Sequence, residues 1–312
     1  MAASREDLKK RAQGGDPQAQ YEMGKLCSDE KDYENSIYWF TKSAEQGLAE
    51  SQAYFGILYE KGISAERNPE QAVFWHKKAA EQGNAHGLCN LGLCYERGVG
   101  VQKDLDKAVN LYKKATEQNL PKAWHSLGIC YENGIGIEKN PKEAVSCYKK
   151  ALGSGFPYSI VNLGFCYEKG IGVEKNPQQA VSWYRKAVKY DLPRGLHSLG
   201  NCYANGVGVE KNPEKAVEYY KKAVDRGLAD SMVSLGFCYA NGQGVAKNEM
   251  EAFNLYAMAA EKEHPMGQNN LGDCYQKGVG IEKDIDKAIY WFKLAAAQGD
   301  ENARHNLGKI GV

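Results

Sequence analysis

Cysteine and histidine are the residues of this chain whose side chains could support catalysis or bind a metal. Six of the nine cysteines recur every 36 residues, at Cys94, Cys130, Cys166, Cys202, Cys238 and Cys274. His125 and His197 each lie five residues before one of these cysteines. Five residues of α-helix rotate a side chain by about 500°, which leaves the two side chains about 140° apart. The spacing therefore excludes a Cys–His nucleophilic pair, whose members must come within hydrogen-bonding distance.

Paired glycines are a second candidate for chemistry, because glycine-rich loops can bind phosphate. The pattern glycine-x-glycine occurs six times at the 36-residue spacing, starting at Gly98, Gly134, Gly170, Gly206, Gly242 and Gly278. A phosphate-binding loop of this kind follows a β-strand. Here each pair follows a segment with a helical pattern. We therefore interpret the pairs as chain reversals in which glycine adopts a positive φ.

A ladder of single glycines shows how these residues are positioned. Gly24 begins the ladder, and 32 residues later the strict 36-residue spacing starts with Gly56, Gly92, Gly128, Gly164, Gly200, Gly236, Gly272 and Gly308. A fixed period of this length indicates stacked supersecondary units rather than one globular core. In the unit around Gly200, Asn212 and Pro213 are typical of a second helix start. Gly206 and Gly227 are typical of helix ends. Each unit is thus predicted to be a helix–turn–helix.

The recurring run LGxCYxxGxGVxKNPxxAVxxYxKA closely resembles the Sel-one-like repeat (SLR) family, which is related to tetratricopeptide repeats. The loop of the first unit, SDEKDY, is shorter than this pattern, and Ser64 replaces the second loop glycine of the next unit. We predict an all-α fold, a right-handed α/α superhelical solenoid of 36-residue helix-turn-helix repeats. We expect one repeat domain over 1–312, with about eight helix pairs, a final helix, and an atypical first unit at 5–47.

The cysteine ladder does not suit disulfide or metal chemistry. Equivalent helices of successive repeats stay about 8–10 Å apart, whereas a disulfide joins Cα atoms about 4.4–6.8 Å apart. No C-x-x-C pair suggests a zinc site. Some relatives of the family bridge two cysteines within each repeat, and that pairing is absent here. We expect small buried thiols in a reducing compartment, with no metal and no cofactor.

Comparison of the repeats with one another separates a packed face from a variable one. On the second helix, Tyr112, Tyr148, Tyr184, Tyr220, Tyr256 and Phe292 recur and are predicted to be core. On the first helix, positions −6, −3, +1, +4 and +5 from the ladder glycine share one stripe and vary between units. We interpret Glu132 and Glu168, at position +4, as solvated. The resemblance implies that this stripe lines a concave groove. The predicted binding residues are Lys122, His125, Ile129, Tyr158, Val161, Phe165, Arg194, His197, Asn201, Asp230, Val233 and Phe237.

These features predict a non-enzymatic scaffold or adaptor that binds an extended peptide or a helix of a partner protein in the groove. Phe165 and Phe237 suggest apolar pockets for partner side chains, although packing against the adjacent unit is the alternative for both. Three other functions stay open. A β-lactam hydrolase is one. RNA binding requires a basic groove, and a passive spacer requires no ligand at all.

Charge and hydropathy restrict the partners further. The chain has 40 Lys and Arg against 39 Asp and Glu, which gives no electrostatic reason to bind nucleic acid or an anionic membrane. No stretch approaches the ~18 apolar residues of a membrane helix, and the N-terminus has no apolar segment typical of a signal peptide. We expect a cytoplasmic protein, with delivery into a host cell and end-to-end self-association left open.

Overall fold

The computed structural model describes residues 5–63 and 66–311, which contain eighteen α-helices and no β-strand. The all-α prediction is confirmed, while Ser64 lies outside the described residues. The helices are α1 (Arg5–Gln13), α2 (Pro17–Asp29), α3 (Tyr33–Glu45), α4 (Ala49–Lys61), α5 (Pro69–Glu81), α6 (Ala85–Arg97), α7 (Leu105–Glu117), α8 (Pro121–Asn133), α9 (Pro141–Gly153), α10 (Ser159–Lys169), α11 (Pro177–Lys189), α12 (Pro193–Asn205), α13 (Pro213–Val224), α14 (Ala229–Asn241), α15 (Glu249–Glu261), α16 (Pro265–Lys277), α17 (Ile285–Ala297) and α18 (Glu301–Ile310).

Two types of helix alternate along the chain. First-type helices carry a ladder glycine and have even numbers, from α2 to α18, while second-type helices follow them and have odd numbers, from α3 to α17. The predicted eight pairs and the final helix are present in the described residues. An additional helix, α1, precedes the first pair within the atypical unit 5–47. Gly15 follows α1 with φ 92°, as Gly47 follows α3 with φ 95°, so α1 ends in the manner of a second-type helix.

The helix boundaries follow from the capping residues that the sequence supplies. Pro193 lies in the first turn of α12, where its missing N–H removes no helical hydrogen bond. Gly206 ends α12 in the left-handed conformation, with φ 72°. The side chain of Asn212 accepts a hydrogen bond of 2.8 Å from the backbone N–H of Lys215 and so caps α13. The helix starts predicted for this unit are confirmed.

The second loop glycine is required by contact as well as by conformation. Gly208 has φ 69°, and a Cβ on it would collide with the backbone carbonyl of Pro177 in the preceding repeat. The loop therefore packs directly on the start of the neighbouring second-type helix. This geometry confirms a chain-reversal role for the glycine pair, which follows a helix in this repeat.

The ladder glycines accept an aromatic ring from the paired second-type helix. A Cβ on Gly200 would lie 2.6 Å from the ring of Tyr220, and one on Gly92 would lie 2.7 Å from the ring of Tyr112. Both rings are buried, as predicted for the recurring aromatic position. At Gly308 no atom of the described chain lies within 4 Å of that point, so no ring covers the glycine of α18.

The chain forms two compact units, residues 1–159 and 160–312. In the first unit, Tyr112 and Leu127 belong to a buried core shared by neighbouring repeats. In the second unit, Tyr220, Leu235 and Tyr256 do so. Each core continues from one repeat to the next, as expected of a solenoid. The single domain expected over 1–312 remains a prediction.

Candidate functional site

The variable stripe contains two exposed aromatic side chains in the unit 160–312. We call the surface formed by positions −6, −3, +1, +4 and +5 of the first-type helices the first-helix face. Phe165 of α10 and Phe237 of α14 both occupy position +1, and their side chains are 40% and 51% exposed. The helix between them carries Asn201 at this position, and α16 carries Asp273. Packing against the adjacent repeat, the alternative considered for both residues, therefore leaves these two rings partly exposed.

The other apolar residues predicted for this face differ in exposure. Tyr158 is exposed, and its ring centroid lies 5.1 Å from that of Phe156. Ile129 and Val161 are half-buried, whereas Val233 is only 5% exposed and belongs to the core. The expectation that Val233 faces solvent is wrong. Position −3 borders the packed face of the helix, and at α14 the neighbouring side chains of the core cover the valine.

His197 is held by neighbours from its own helix and from the next repeat. Its Nδ1 lies 2.9 Å from Oγ of Ser231, and its Nε2 lies 3.1 Å from Nδ2 of Asn201. Because the amide of Asn201 can only donate from nitrogen, Nε2 accepts and Nδ1 carries the proton donated to Ser231. Burial lowers the pKa of His197 below its usual value. The imidazole cannot act as a base towards Ser231, whose side chain is also fully buried.

The same arrangement occurs in the unit 1–159. Nδ1 of His125 lies 2.9 Å from Oγ of Ser159, and its ring centroid lies 5.1 Å from that of Phe156. Lys122 donates a hydrogen bond of 3.0 Å to Oδ1 of Asn90. His125 and Lys122, which were predicted to bind a partner, therefore already hydrogen-bond to neighbouring repeats.

Two charged residues of the predicted site remain more open. Arg194 is exposed at position −6 of α12. Asp230, at the equivalent position of α14, is exposed, and its Oδ1 lies 3.3 Å from Nε2 of His264. The structure thus brings Asp230, His197 and His264 to one region of the first-helix face.

A series of tyrosine–glutamate hydrogen bonds lies beneath this face and was not anticipated from the sequence. The hydroxyl of Tyr112 donates to Glu96 at 2.7 Å, and that of Tyr184 donates to Glu168 at 2.9 Å. Tyr148 donates to Glu132 in the same way. The interpretation of Glu132 and Glu168 as solvated is therefore wrong, since both are half-buried acceptors. The signal in the sequence is the constant separation of 16 residues.

The series changes at α12 and α14, where alanine replaces this glutamate. Ala204 stands at position +4 of α12, and the hydroxyl of Tyr220 donates instead to Oδ1 of Asn201 at 2.6 Å. Ala240 stands at position +4 of α14, where Phe237 occupies position +1 and offers no acceptor. Tyr256 has no hydrogen-bond partner within residues 5–63 and 66–311, and its hydroxyl is not enclosed.

All nine cysteines are free and buried, as predicted for the ladder positions. Burial raises the pKa of Cys130 and of Cys202 to about 12, so both stay as unreactive thiols at neutral pH. In the described parts of the chain, no group of three or more His, Cys, Asp or Glu side chains could hold a metal ion. Nor does any helix there combine the length and apolar character needed to cross a membrane.

Stacked helix pairs, whose core continues between neighbouring repeats within each unit, and a variable face define an α/α repeat protein, a class whose members typically present binding surfaces. The model of the Sel1 repeat matches eight segments, 17–48, 49–84, 85–120, 121–155, 157–189, 193–228, 229–264 and 265–300. The chain therefore belongs to the Sel1 repeat family, the Sel-one-like repeats of the sequence analysis. Proteins of this family are typically protein-interaction scaffolds.

Solved structures with this fold come from several bacteria. The chain is similar to c5321, a protective antigen of uropathogenic Escherichia coli, at 32% identity over 99% of this chain and 67% of that one, with a TM-score of 0.63. It is also similar to a Sel1 repeat protein from Oxalobacter formigenes, at 27% identity over 99% and 91%, with a TM-score of 0.65.

A more distant likeness concerns the fold alone. Immunity protein Pa5087 from Pseudomonas aeruginosa is 23% identical over 68% of this chain and 81% of that one, with a TM-score of 0.50. No curated protein matches the sequence.

Proposed function

We propose that this chain is a non-enzymatic protein-interaction scaffold that binds an extended segment or a helix of a partner protein along its first-helix face. The observation that carries the proposal is the exposure of Phe165 and Phe237 at equivalent positions, two repeats apart. Exposed aromatic rings at a repeated position of a variable surface are typical anchors for the apolar side chains of a partner.

The spacing of the two rings suggests the length of the bound segment. Equivalent helices of adjacent repeats lie about 8–10 Å apart, so positions two repeats apart are separated by roughly 16–20 Å. An extended peptide rises about 3.3 Å per residue and its side chains alternate between two faces, so side chains about six residues apart reach both Phe165 and Phe237. Membership of the Sel1 repeat family supports a binding role of this kind.

The three alternatives have less support. For hydrolysis, Ser231 is buried beside a histidine whose Nδ1 already carries a proton, and the cysteines have raised pKa values. For RNA binding, the net charge of +1 provides little attraction to a phosphate backbone. A passive spacer offers no reason for two exposed phenylalanines in the same position. We also propose a cytoplasmic location, which suits nine free thiols.

The test uses a random twelve-residue peptide display library selected on the unmutated chain, followed by calorimetry with the selected peptides. We expect Phe165→Glu and Phe237→Glu each to weaken binding at least about tenfold, which corresponds to about 1.4 kcal/mol. Tyr290→Glu is the matched control, because Tyr290 is 57% exposed but lies on the second-type helix α17. We expect that variant to bind normally.

Circular dichroism verifies that all three variants remain helical. Selection of no peptide, or equal binding by the folded Phe165→Glu and Phe237→Glu variants, overturns the proposal.

A further inference from the structure

Tyr256 differs from the other tyrosines that cover a ladder glycine. Its ring packs on Gly236, where an added Cβ would lie 2.7 Å away, and the residue is only 6% exposed. The hydroxyls of Tyr184 and Tyr220 reach acceptors on the preceding first-type helix. That of Tyr256 has no partner in the described chain, although it is open to the surface. A phenol donor that reaches the surface and that no protein group uses is available to an acceptor on a ligand, which replaces water there.

The glutamate that accepts this hydrogen bond in other repeats is replaced by alanine here. Glu168 stands at position +4 of α10 and accepts from Tyr184, whereas position +4 of α14 is Ala240. The atoms of a glutamate side chain beyond Cβ are therefore absent next to the hydroxyl of Tyr256. Phe237 is 51% exposed and occupies position +1, from which Asn201 reaches the hydroxyl of Tyr220 in the preceding repeat. The result is a small site with one donor and one apolar surface.

Charge at the site favours a neutral acceptor over a carboxylate. Burial raises the pKa of Tyr256, and the neighbouring Cys274, Cys238 and Asp273 raise it further, so the phenol stays protonated and can donate a hydrogen bond to an acceptor of a ligand. Asp273 is paired with Lys277 at 2.6 Å. Lys277 offsets part of the charge of Asp273, and the repulsion that remains disfavours a second carboxylate, whereas a main-chain carbonyl carries no net charge.

We propose that the Tyr256 hydroxyl and the exposed ring of Phe237 form a subsite that binds a main-chain carbonyl of an extended partner segment. The apolar side chain next to that carbonyl packs on Phe237, and the space beside Ala240 accommodates the carbonyl. This inference rests on the proposed function and adds a specificity-determining residue to it. Tyr256 selects for a segment with a free carbonyl at this point.

Three variants test the subsite with the peptides selected on the unmutated chain. Tyr256→Phe removes the donor but no internal hydrogen bond, so we expect about three- to tenfold weaker binding with an unchanged melting temperature. Tyr184→Phe is the matched control, because it removes the bond to Glu168. We expect it to lower the melting temperature and leave binding unchanged. Ala240→Glu places a side chain next to the hydroxyl of Tyr256, as Glu168 does next to that of Tyr184, so we expect it to weaken binding at least tenfold.

The chemistry of the acceptor is tested on the peptides themselves. We expect peptides in which every Asp and Glu is changed to Asn and Gln, with an amidated C-terminus, to retain their affinity. Loss of binding on this change identifies a carboxylate ligand and overturns the assignment of a main-chain carbonyl.

The two proposals fail in different ways. Peptides that need Phe237 but bind Tyr256→Phe and Ala240→Glu normally overturn the subsite and leave the scaffold proposal intact. Failure to select any peptide, or indifference to Phe165→Glu and Phe237→Glu, overturns the scaffold proposal as well.

Discussion

The phenolic oxygen of Tyr184 lies 2.9 Å from Oε2 of Glu168, a residue sixteen positions earlier on the paired helix. The ring of Tyr184 packs on Gly164 between the two helices. The same side chain therefore contacts the ladder glycine with its ring and Glu168 with its hydroxyl. The hydrogen bond therefore links the core of the helix pair to the first-helix face.

Removal of the acceptor should destabilise the chain. Glu168→Ala leaves the buried hydroxyl of Tyr184 without its partner, and we expect a loss of about 1–2 kcal/mol in the free energy of unfolding. Glu174→Ala, at an exposed loop position of the same repeat, is the control and should change little. Chemical denaturation followed by circular dichroism measures both. Equal midpoints for the two variants would show that the hydrogen bond contributes nothing to stability.

His76 should make stability depend on pH. It occupies the aromatic position opposite Gly56, is fully buried, and neither ring nitrogen has a partner in the described chain. Burial lowers the pKa of His76 to about 4 from the ordinary 6.5. Between these values the unfolded chain binds a proton that the folded chain does not. Stability therefore falls as the pH drops from about 6.5 to about 4, by ~3 kcal/mol for this group.

Two substitutions at this position provide the test. Phe40 and Phe292 occupy the same position in other repeats, so His76→Phe should fit and should remove this part of the pH dependence. His76→Tyr places a hydroxyl sixteen residues after Glu60, the separation at which Tyr112 meets Glu96. We expect it to stabilise the chain at pH 7. Denaturation midpoints are measured at pH 7, 5.5 and 4.5. If the midpoint of His76→Phe fell with pH as steeply as that of the unmutated chain, His76 would not be the source of the pH dependence.

The ladder glycines should tolerate alanine only where no ring covers them. In Gly200→Ala the added Cβ would lie 2.6 Å from the ring of Tyr220, and the required shift should cost about 1–3 kcal/mol. Gly308→Ala is the matched control, since its Cβ meets no atom of the described chain within 4 Å. The better helix propensity of alanine should make it neutral or slightly stabilising, by up to about 1 kcal/mol. Thermal melts compare the two, and similar losses in both would contradict the packing argument.

The thiols should resist modification until the chain unfolds. Burial raises the pKa of Cys130 and Cys202 to about 12 and that of Cys274 to about 11, so little thiolate is present at pH 8. We expect slow reaction with Ellman's reagent in the native chain and nine equivalents in guanidinium chloride. Fast reaction of several thiols in the folded chain would be inconsistent with burial of the cysteine ladder.

Much of the fold follows from residues that act locally. Pro193 and Asn212 start helices, and Gly206 ends one, because proline, asparagine and glycine restrict or permit the same backbone conformations wherever they occur. Repetition strengthened the inference, since each unit predicts the same boundaries. Helix α1 is not predicted from the sequence, because it lies outside the 36-residue pattern.

The chemical state of the face was determined by contacts between repeats. From the sequence, His197 and Lys122 are predicted to be free donors. In the structure His197 hydrogen-bonds to Ser231 and Lys122 to Asn90, each in a neighbouring repeat. Helical periodicity gives the direction of a side chain but not what the next helix places beside it. For the same reason Val233 was expected in solvent and lies in the core.

The sequence by itself determined the repeat, the helix boundaries and the buried aromatic positions, because these depend on short-range backbone preferences and on a period that the chain repeats. Only the tertiary structure decided which polar groups are already satisfied, because hydrogen bonding depends on the length and position of side chains from separate helices. Tyr184 and Tyr256 occupy equivalent positions in the sequence. The hydroxyl of Tyr184 donates to Glu168, whereas that of Tyr256 has Ala240 at the equivalent position and no partner in the described chain.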